Sequence, residues 1–306
     1  MTDSKNTPSS PIVVTGANGL VGSRVCAALA DRGAAVRAVV RRAGTAPTLT
    51  GIQEHVGDFY DPDFAAAVVA GAGGVVTTVH PMGSDRQTQH RVAVEGTPVL
   101  ARAARDAGVA RLVHISTAAV YDRSPGVGDV DEASPLVGDD ANDYAVTKRD
   151  TDEALAQIEG LTCILLRPPA ILGDGETSIW NSVRPAAMQE DEEARRTIPE
   201  RTFAWVHVDD LAAFAADLVA ARVPTATDPE SGPVEGACTP VNVAAGPATA
   251  RDYYETVTGA LGVQPVWDEG PSWTGQIRAD RAHGWGWIPQ VELAAALTEI
   301  EAGLRA

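Results

Sequence analysis

Lysine is almost missing from this chain. Of its 24 basic residues only Lys5 and Lys148 are lysines, and the rest are arginine. With such a bias an indifferent surface cation would be arginine, so the compact ammonium kept at Lys148 marks a position that a planar guanidinium fills badly. Cysteine is scarce too. Cys26, Cys163 and Cys238 are odd in number, far apart in sequence and without CxxC or histidine neighbours, so they read as reduced packing residues, with neither a disulfide framework nor a metal site expected. No stretch approaches the ~20 uninterrupted apolar residues of a membrane span. The polar, Pro/Ser-rich start from Met1 to Pro11 lacks a signal peptide's apolar core. A cytoplasmic protein with a flexible tail at 1–10 is therefore expected. Positive charge is in deficit, 41 acidic against 24 basic residues for a net −17, which argues against nucleic acid or anionic membrane as a partner. None of these absences names a reaction.

What the chain does have is an alternation of strands and helices. At 306 residues and 31.8 kDa it can bury a large core. Pro11 to Thr15 is a β-branched run that meets Gly16-Ala17-Asn18-Gly19-Leu20-Val21-Gly22 and then the helical spacing Val25, Leu29, Ala30. In such a strand, turn and helix, glycines let the chain turn tightly, admit a pyrophosphate to the main chain at the helix N-terminus, and let helix and strand pack closely. A glycine turn by itself also serves any βα loop; its place at the first strand makes Gly16, Asn18, Gly19, Leu20 and Gly22 candidate dinucleotide contacts. A second strand at 35–40 ends in Arg41-Arg42, and no acid occurs from Gly33 to Gln53. An acid there would hold a ribose 2′-hydroxyl, whereas arginine suits a 2′-phosphate. NADP is thus expected over NAD, with Arg41, Arg42 and also Arg37 as candidate contacts, against the plainer reading of two arginines closing a surface strand. Asp58, after a third strand at 52–56, can accept from an adenine amino group or serve as a turn residue. His80 ends a fourth strand at 75–79, where strand ends meet a cofactor, and is read as wall.

A fifth strand at 112–115 delivers Ser116-Thr117 to its C-terminal end, where open α/β sheets place their ligands. After a Pro/Gly/Asp-rich loop, Tyr144 and Lys148 open a helical run at 144–159, a phenol and an ammonium one turn apart on one face. Y-x-x-x-K arises by chance in ~3% of chains of this composition. A lysine beside a tyrosine favours the phenolate and draws its pKa, ordinarily ~10, toward neutrality, which makes a proton donor; a solvated i,i+4 pair is the bland alternative. A sixth strand at 161–166 precedes Arg167-Pro168-Pro169. The alternation predicts an α/β fold, a Rossmann-type doubly wound parallel sheet with a smaller C-terminal substrate-binding region built from insertions. The expected dinucleotide domain covers 11–168, with 201–222 and 240–245 returning to it, and the substrate region is assembled from 169–200, 223–239 and 246–306. All six tryptophans lie beyond residue 179. Trp180 and Trp205, with Phe203, are the candidate pocket, joined by Trp267 and Trp273, although aromatic residues are more often plain core.

Gly16xxGly19xxGly22, Asp58, Ser116-Thr117-Ala118-Ala119-Val120-Tyr121, Tyr144xxxLys148, Arg167-Pro168-Pro169 and Val206-His207-Val208-Asp209-Asp210-Leu211 together resemble the extended short-chain dehydrogenase/reductase superfamily over nearly the whole chain. The resemblance implies Thr117 as the catalytic hydroxyl, Tyr144 as the general acid/base, and Lys148 as the residue that holds the nicotinamide ribose and tunes the tyrosine. The segment after Arg167 would cover the nicotinamide, which adds Arg167 and Pro168 to the cofactor candidates. Where related dehydratases carry an acidic pair, this chain has Ala118-Ala119, which argues against dehydration. Sugar-nucleotide epimerases usually place an arginine where Phe203 stands, with Arg201 two residues off, and no lysine or arginine lies between Arg251 and Arg278; a diphosphate without such clamps is poorly held. Ala93 and Asp122 replace the family's usual asparagine and glycine. The expectation is an NADP-dependent reductase of a ketone or aldehyde on an apolar or polycyclic small molecule, resembling dihydroflavonol reductases and hydroxysteroid dehydrogenases. The alternative is a sugar-nucleotide epimerase using tightly held NAD. The family's dimer would pair the helices at 93–107 and 144–159, so a homodimer is expected.

Overall fold

Strands whose successive residues are all buried fit only between two covering layers. That condition holds for β1 (Ile12–Thr15), β4 (Gly74–Thr77), β5 (Arg111–Ile115) and β6 (Thr162–Arg167) in a computed structural model that describes residues 10–305. Residues 1–9 of the expected tail lie outside the described residues. Between these strands run α1 (Leu20–Asp31), β2 (Val36–Val40), β3 (Ile52–Val56), α2 (Pro62–Val69), α3 (Arg86–Gln89), α4 (Gly96–Asp106) and α5 (Asp143–Ala156). Beyond β6 come β7 (Ala170–Leu172), α6 (Arg184–Glu190), β8 (Arg196–Thr197), β9 (Trp205–His207), α7 (Val208–Val219) and β10 (Cys238–Asn242). The chain finishes with α8 (Ala250–Leu261), β11 (Val266–Trp267), α9 (Asp280–Gly284) and α10 (Leu293–Arg305).

Seven parallel strands form the central sheet in the order β10-β6-β5-β4-β1-β2-β3. The winding reverses between β1 and β4, and a sheet of this kind opens its crevice at the carboxyl ends of the strands flanking that point. Alternation along each strand feeds two cores. Val14 packs with Leu29, Leu211 and Leu218 on one face, while Val13 packs with Leu100, Leu112 and Leu155 on the other. The Rossmann-type doubly wound sheet expected from the sequence is the fold.

Some elements differ from the expectation. β9 does not join the central sheet but pairs in parallel with β7, while α7 packs on α1 and β10 supplies the seventh strand. The helix placed at 93–107 from the sequence begins earlier, as α3, and reaches α4 through a π segment at His90–Glu95. Cys163 and Cys238, distant in sequence, are register partners on β6 and β10; both are free thiols. A third core, containing Leu172, Met188, Trp205 and Tyr253, holds the segments beyond β6 together beside the open end of the sheet.

Candidate active site

A cleft of about 1080 Å³ opens where the ends of β1, β2, β3, β4 and β5 face the start of α5. β1 turns into α1 through Gly16, whose φ of 65° favours glycine, and a Cβ on Gly22 would lie 2.1 Å from the Gly16 carbonyl oxygen. Glycine at both positions lets α1 start against the turn. The N-cap, Gly19, supplies no side-chain bond, and the first turn of α1 holds no acid. Its N–H groups and positive dipole end are therefore left to an anion. Gly16, Asn18, Gly19, Leu20 and Gly22 all line the cleft, so this turn fits a dinucleotide pyrophosphate. Arg41 and Arg42 continue the same wall, with Asp58 across from them after β3. The acid on the neighbouring strand, Glu54, is taken by the backbone N–H groups of Gly44, Thr45 and Ala46, which leaves both guanidiniums suited to a 2′-phosphate. Arg37 is not with them. Its Nη1 donates to the Val68 and Ala70 carbonyls at 2.7 Å each and closes the end of α2.

At the centre of the cleft, Thr117 starts a short 3-10 turn and accepts from the Ala119 N–H at 3.1 Å. Its hydroxyl is near enough to the Tyr144 phenol to draw that phenol's pKa down, and both residues line the cleft. Ser116 is buried on the other side, toward Asp152. Asn142 caps α5 by accepting from the Ala145 N–H at 3.0 Å, which sets Tyr144 in the first turn and Lys148 one turn on. Lys148 lies under the wall, its Nζ donating to the Ile115 carbonyl at 2.7 Å. Burial brings that ammonium down to about 8, and Asp152 opposes the shift. The phenol moves against the sequence expectation: burial pushes Tyr144 up from its ordinary value, the nearby Thr117 hydroxyl draws it back in part, and Asp152 adds to the rise. A phenol that keeps its proton at neutral pH is what a proton donor needs before the reaction. His80 stands edge-on to Tyr144 with ring centroids 5.0 Å apart, and its Nε2 lies 3.1 Å from the Thr147 hydroxyl. Burial and then the charge on Lys148 lower it to about 3, so it is a neutral wall residue.

Beneath this centre runs a buried polar chain. Arg167 Nε donates to Asp152 at 3.0 Å, Arg167 Nη1 donates to the Tyr121 hydroxyl at 2.9 Å, and that hydroxyl donates to Asn242 at 2.8 Å. Arg167 is thus held under the floor by a buried carboxylate and is not brought to the cleft wall. Pro168 is off the wall as well, its carbonyl accepting the Ala118 N–H at 2.8 Å, whereas Pro169 lines the cleft. Asp152 was missed in the sequence; its position one turn past Lys148, on the same face of the helix, was the available signal.

On the far side of the cleft Trp180 meets Phe203 edge to face, ring centroids 5.1 Å apart, and both are wall residues. Trp205, two residues along from Phe203, is fully buried in the third core and does not reach the cleft. Trp273 packs in a separate core cluster and Trp267 against the third core; neither lines the cleft. Arg123, Arg184 and Arg201 do, so this side is not short of guanidiniums as the sequence pattern suggested. The signal for Arg184 was its place one helical turn after Trp180. Among the described residues no group of three or more His, Cys, Asp or Glu is arranged to hold a metal ion, and no helix is long and apolar enough to cross a membrane.

Residues 12–229 match the model of the NAD dependent epimerase/dehydratase family. The chain is 33% identical over 172 residues to 4-hydroxy-2-methyl-3-oxo-4-farnesyl-3,4-dihydroquinoline-1-oxide ketoreductase of Stigmatella aurantiaca, covering 54% of this chain and 51% of that protein. It is 31% identical over 185 residues to a 3 beta-hydroxysteroid dehydrogenase/Delta 5-->4-isomerase of Mycobacterium tuberculosis, covering 56% and 50%. The matches thus span about half the length of these curated relatives. Among solved structures, the Bordetella bronchiseptica enzyme WbmH in complex with NAD+ superposes with a TM-score of 0.77 at 19% identity, covering 97% of this chain and 98% of that one, a likeness of fold.

Proposed function

The chain belongs to the NAD dependent epimerase/dehydratase family, within the extended short-chain dehydrogenase/reductase superfamily, and on that premise we propose that it reduces a ketone or aldehyde on an apolar or ring-bearing small molecule with NADPH. The observation that carries this reading is the Thr117–Tyr144 pair on the wall of a cleft whose other end is the open glycine turn. When bound, the nicotinamide supplies the hydride. Thr117 and Tyr144 orient the carbonyl oxygen between two hydroxyls, and Tyr144 delivers the proton that this oxygen takes up. Lys148, expected to hold the ribose, is buried under the wall on the Ile115 carbonyl and off the cleft lining, so its part is to place a positive charge behind the phenol. Trp180 and Phe203 offer an aromatic wall for the body of the substrate. The printed names of the two curated relatives, a ketoreductase and a hydroxysteroid dehydrogenase, support carbonyl chemistry on ring systems.

Arg41 and Arg42, with no acid beside them on β2, support NADP over NAD. Tyr144→Phe is expected to lower kcat by about 10²–10⁴-fold while NADPH affinity stays near the wild-type value; turnover that survives the substitution overturns the assignment. One observation favours a second reading, a sugar-nucleotide epimerase with tightly held NAD: the three arginines on the substrate side can grip a diphosphate. Cofactor content separates the two, since NAD retained through gel filtration supports the epimerase and cofactor-free protein that titrates more tightly with NADPH supports the reductase. We further propose a homodimer built on the neighbouring helices α4 and α5; light scattering should give a two-chain mass, and a one-chain mass refutes it.

A further inference from the structure

Six arginines and a single acid, Asp58, are the charged side chains on the cleft wall among the described residues, in a chain whose net charge is −17. Arg41 and Arg42 are accounted for at the cofactor end. At the opposite end stand Arg123, Arg184 and Arg201, and among the described residues none of the three forms an ion pair. Elsewhere carboxylates are readily found: Arg32, Arg149, Arg196, Arg251, Arg278 and Arg281 each hold one. Off the cleft, Arg37, Arg111 and Arg195 also lack a carboxylate but donate to backbone carbonyls, whereas among the described residues the side chains of Arg123 and Arg201 donate to no protein acceptor.

Two of the three guanidiniums are also held in place, and the third is anchored through its backbone. Arg184 lies over the rings of Trp180 and Tyr254, at 5.3 and 5.4 Å from their centroids, and donates to the Tyr254 hydroxyl. Its Nε is buried without a partner. Arg123 lies over Trp273 at 5.4 Å. Burial and then the nearby charge of Arg201 bring Arg123 down to about 10. The Arg201 carbonyl accepts the Ala250 N–H at 2.8 Å, which fixes that residue at the start of α8, one turn before Tyr254. Stacking on an aromatic ring uses the face of a guanidinium and leaves its edge donors free. The like charges of Arg123 and Arg201, with no acid beside them on this wall, are unfavourable until an oxyanion accepts from them.

We propose that the substrate carries an oxyanion, a carboxylate or a phosphate, which Arg123, Arg184 and Arg201 bind while its apolar body lies on Trp180 and Phe203. The proposal rests on the reading that this end of the cleft takes the substrate, and it goes beyond it, because neither Thr117 nor Tyr144 calls for a charged molecule. The fork of Arg184, stacked and immobile, sets where the anion sits, and Arg123 and Arg201 supply the field that draws it in.

Calorimetry on NADP-saturated protein tests this without turnover, using 2-naphthoate, 2-naphthyl phosphate and the neutral 2-naphthamide as probes. At least one anion should bind about ten-fold or more tightly than the amide, and the tighter of the two tells carboxylate from phosphate. Arg184→Gln and Arg123→Gln should each remove most of that preference while leaving the amide's affinity in place. Rising salt should shrink the preference in the unaltered protein, a readout that does not depend on either variant folding. Equal binding of all three probes, or a preference that survives both substitutions, overturns the proposal. Should the anions win while no carbonyl compound is reduced, the anion site stands and the reductase reading falls. Should a neutral ketone be reduced while the anions bind no better than the amide, the reductase reading stands and the anion site falls.

Discussion

The two ends of the cleft are made of different material. At the cofactor end the contacts are mostly main chain: a turn of glycines, the bare N-terminus of α1, and two arginines set at a strand end. At the substrate end they are side chains from separate segments, with Trp180 and Arg184 from the stretch before β8, Phe203 and Arg201 from the stretch before β9, and Arg123 from the loop after β5. The difference teaches where each end is vulnerable. A backbone-built site fails when a Cβ displaces the chain and is indifferent to many side chains. A side-chain site keeps its shape and changes what it accepts.

The largest effect that would sharpen this contrast is expected from Gly22→Ala. Its methyl would meet the Gly16 carbonyl at 2.1 Å, so the turn must shift, and the affinity for NADPH should fall by about 10- to 100-fold in a titration of cofactor fluorescence. An unchanged affinity would mean that the turn does not hold the cofactor. Next in size, Arg42→Ala should weaken NADPH by about ten-fold and leave NADH unchanged; equal losses for both cofactors would break the 2′-phosphate reading of Arg41 and Arg42. The smallest effect is in the pH profile. With Lys148 brought down to about 8, reduction should stand about two-fold below its neutral plateau at pH 8 and keep falling above it. Stability has the opposite sign there. The native lysine sheds its proton at lower pH than the unfolded one, so Lys148 contributes stability that grows as pH rises from about 8 toward its ordinary value. A rate that tracks thermal stability through that window would contradict the role given to the ammonium.

The same contrast governs how much the sequence revealed. Gly16 to Gly22 and Tyr144 to Lys148 are contiguous, and their chemistry depends on spacing along one turn or one helix, which a sequence carries directly. The doubly wound sheet was legible for the same reason, since alternating strands and helices leave few other arrangements. Arg37 shows the limit: it precedes Arg41 on the same strand, yet it stands at the start of β2, away from the carboxyl end where the cleft opens, and donates to the last carbonyls of α2. Arg167 stands at the end of β6, where a cofactor contact would be expected, but buried Asp152 captures it. The convergence of Arg123, Arg184 and Arg201 was hidden for another reason. Isolated arginines are unremarkable in a chain this rich in them, and only packing beyond β6 brings them to one wall. The tuning of Tyr144 depended on burial, which the i,i+4 spacing could not supply.

Deuterium transfer from C4-dideuterated NADPH tests the central claim most directly, in single turnovers with ring-bearing ketones and keto acids, for the unaltered protein and for Tyr144→Phe. The alcohol carbon of the product should gain one deuterium in the unaltered protein. Tyr144→Phe, still binding NADPH, should transfer it about 10²–10⁴-fold more slowly. A product without deuterium, or a Tyr144→Phe variant that transfers at the unaltered rate, would contradict the account.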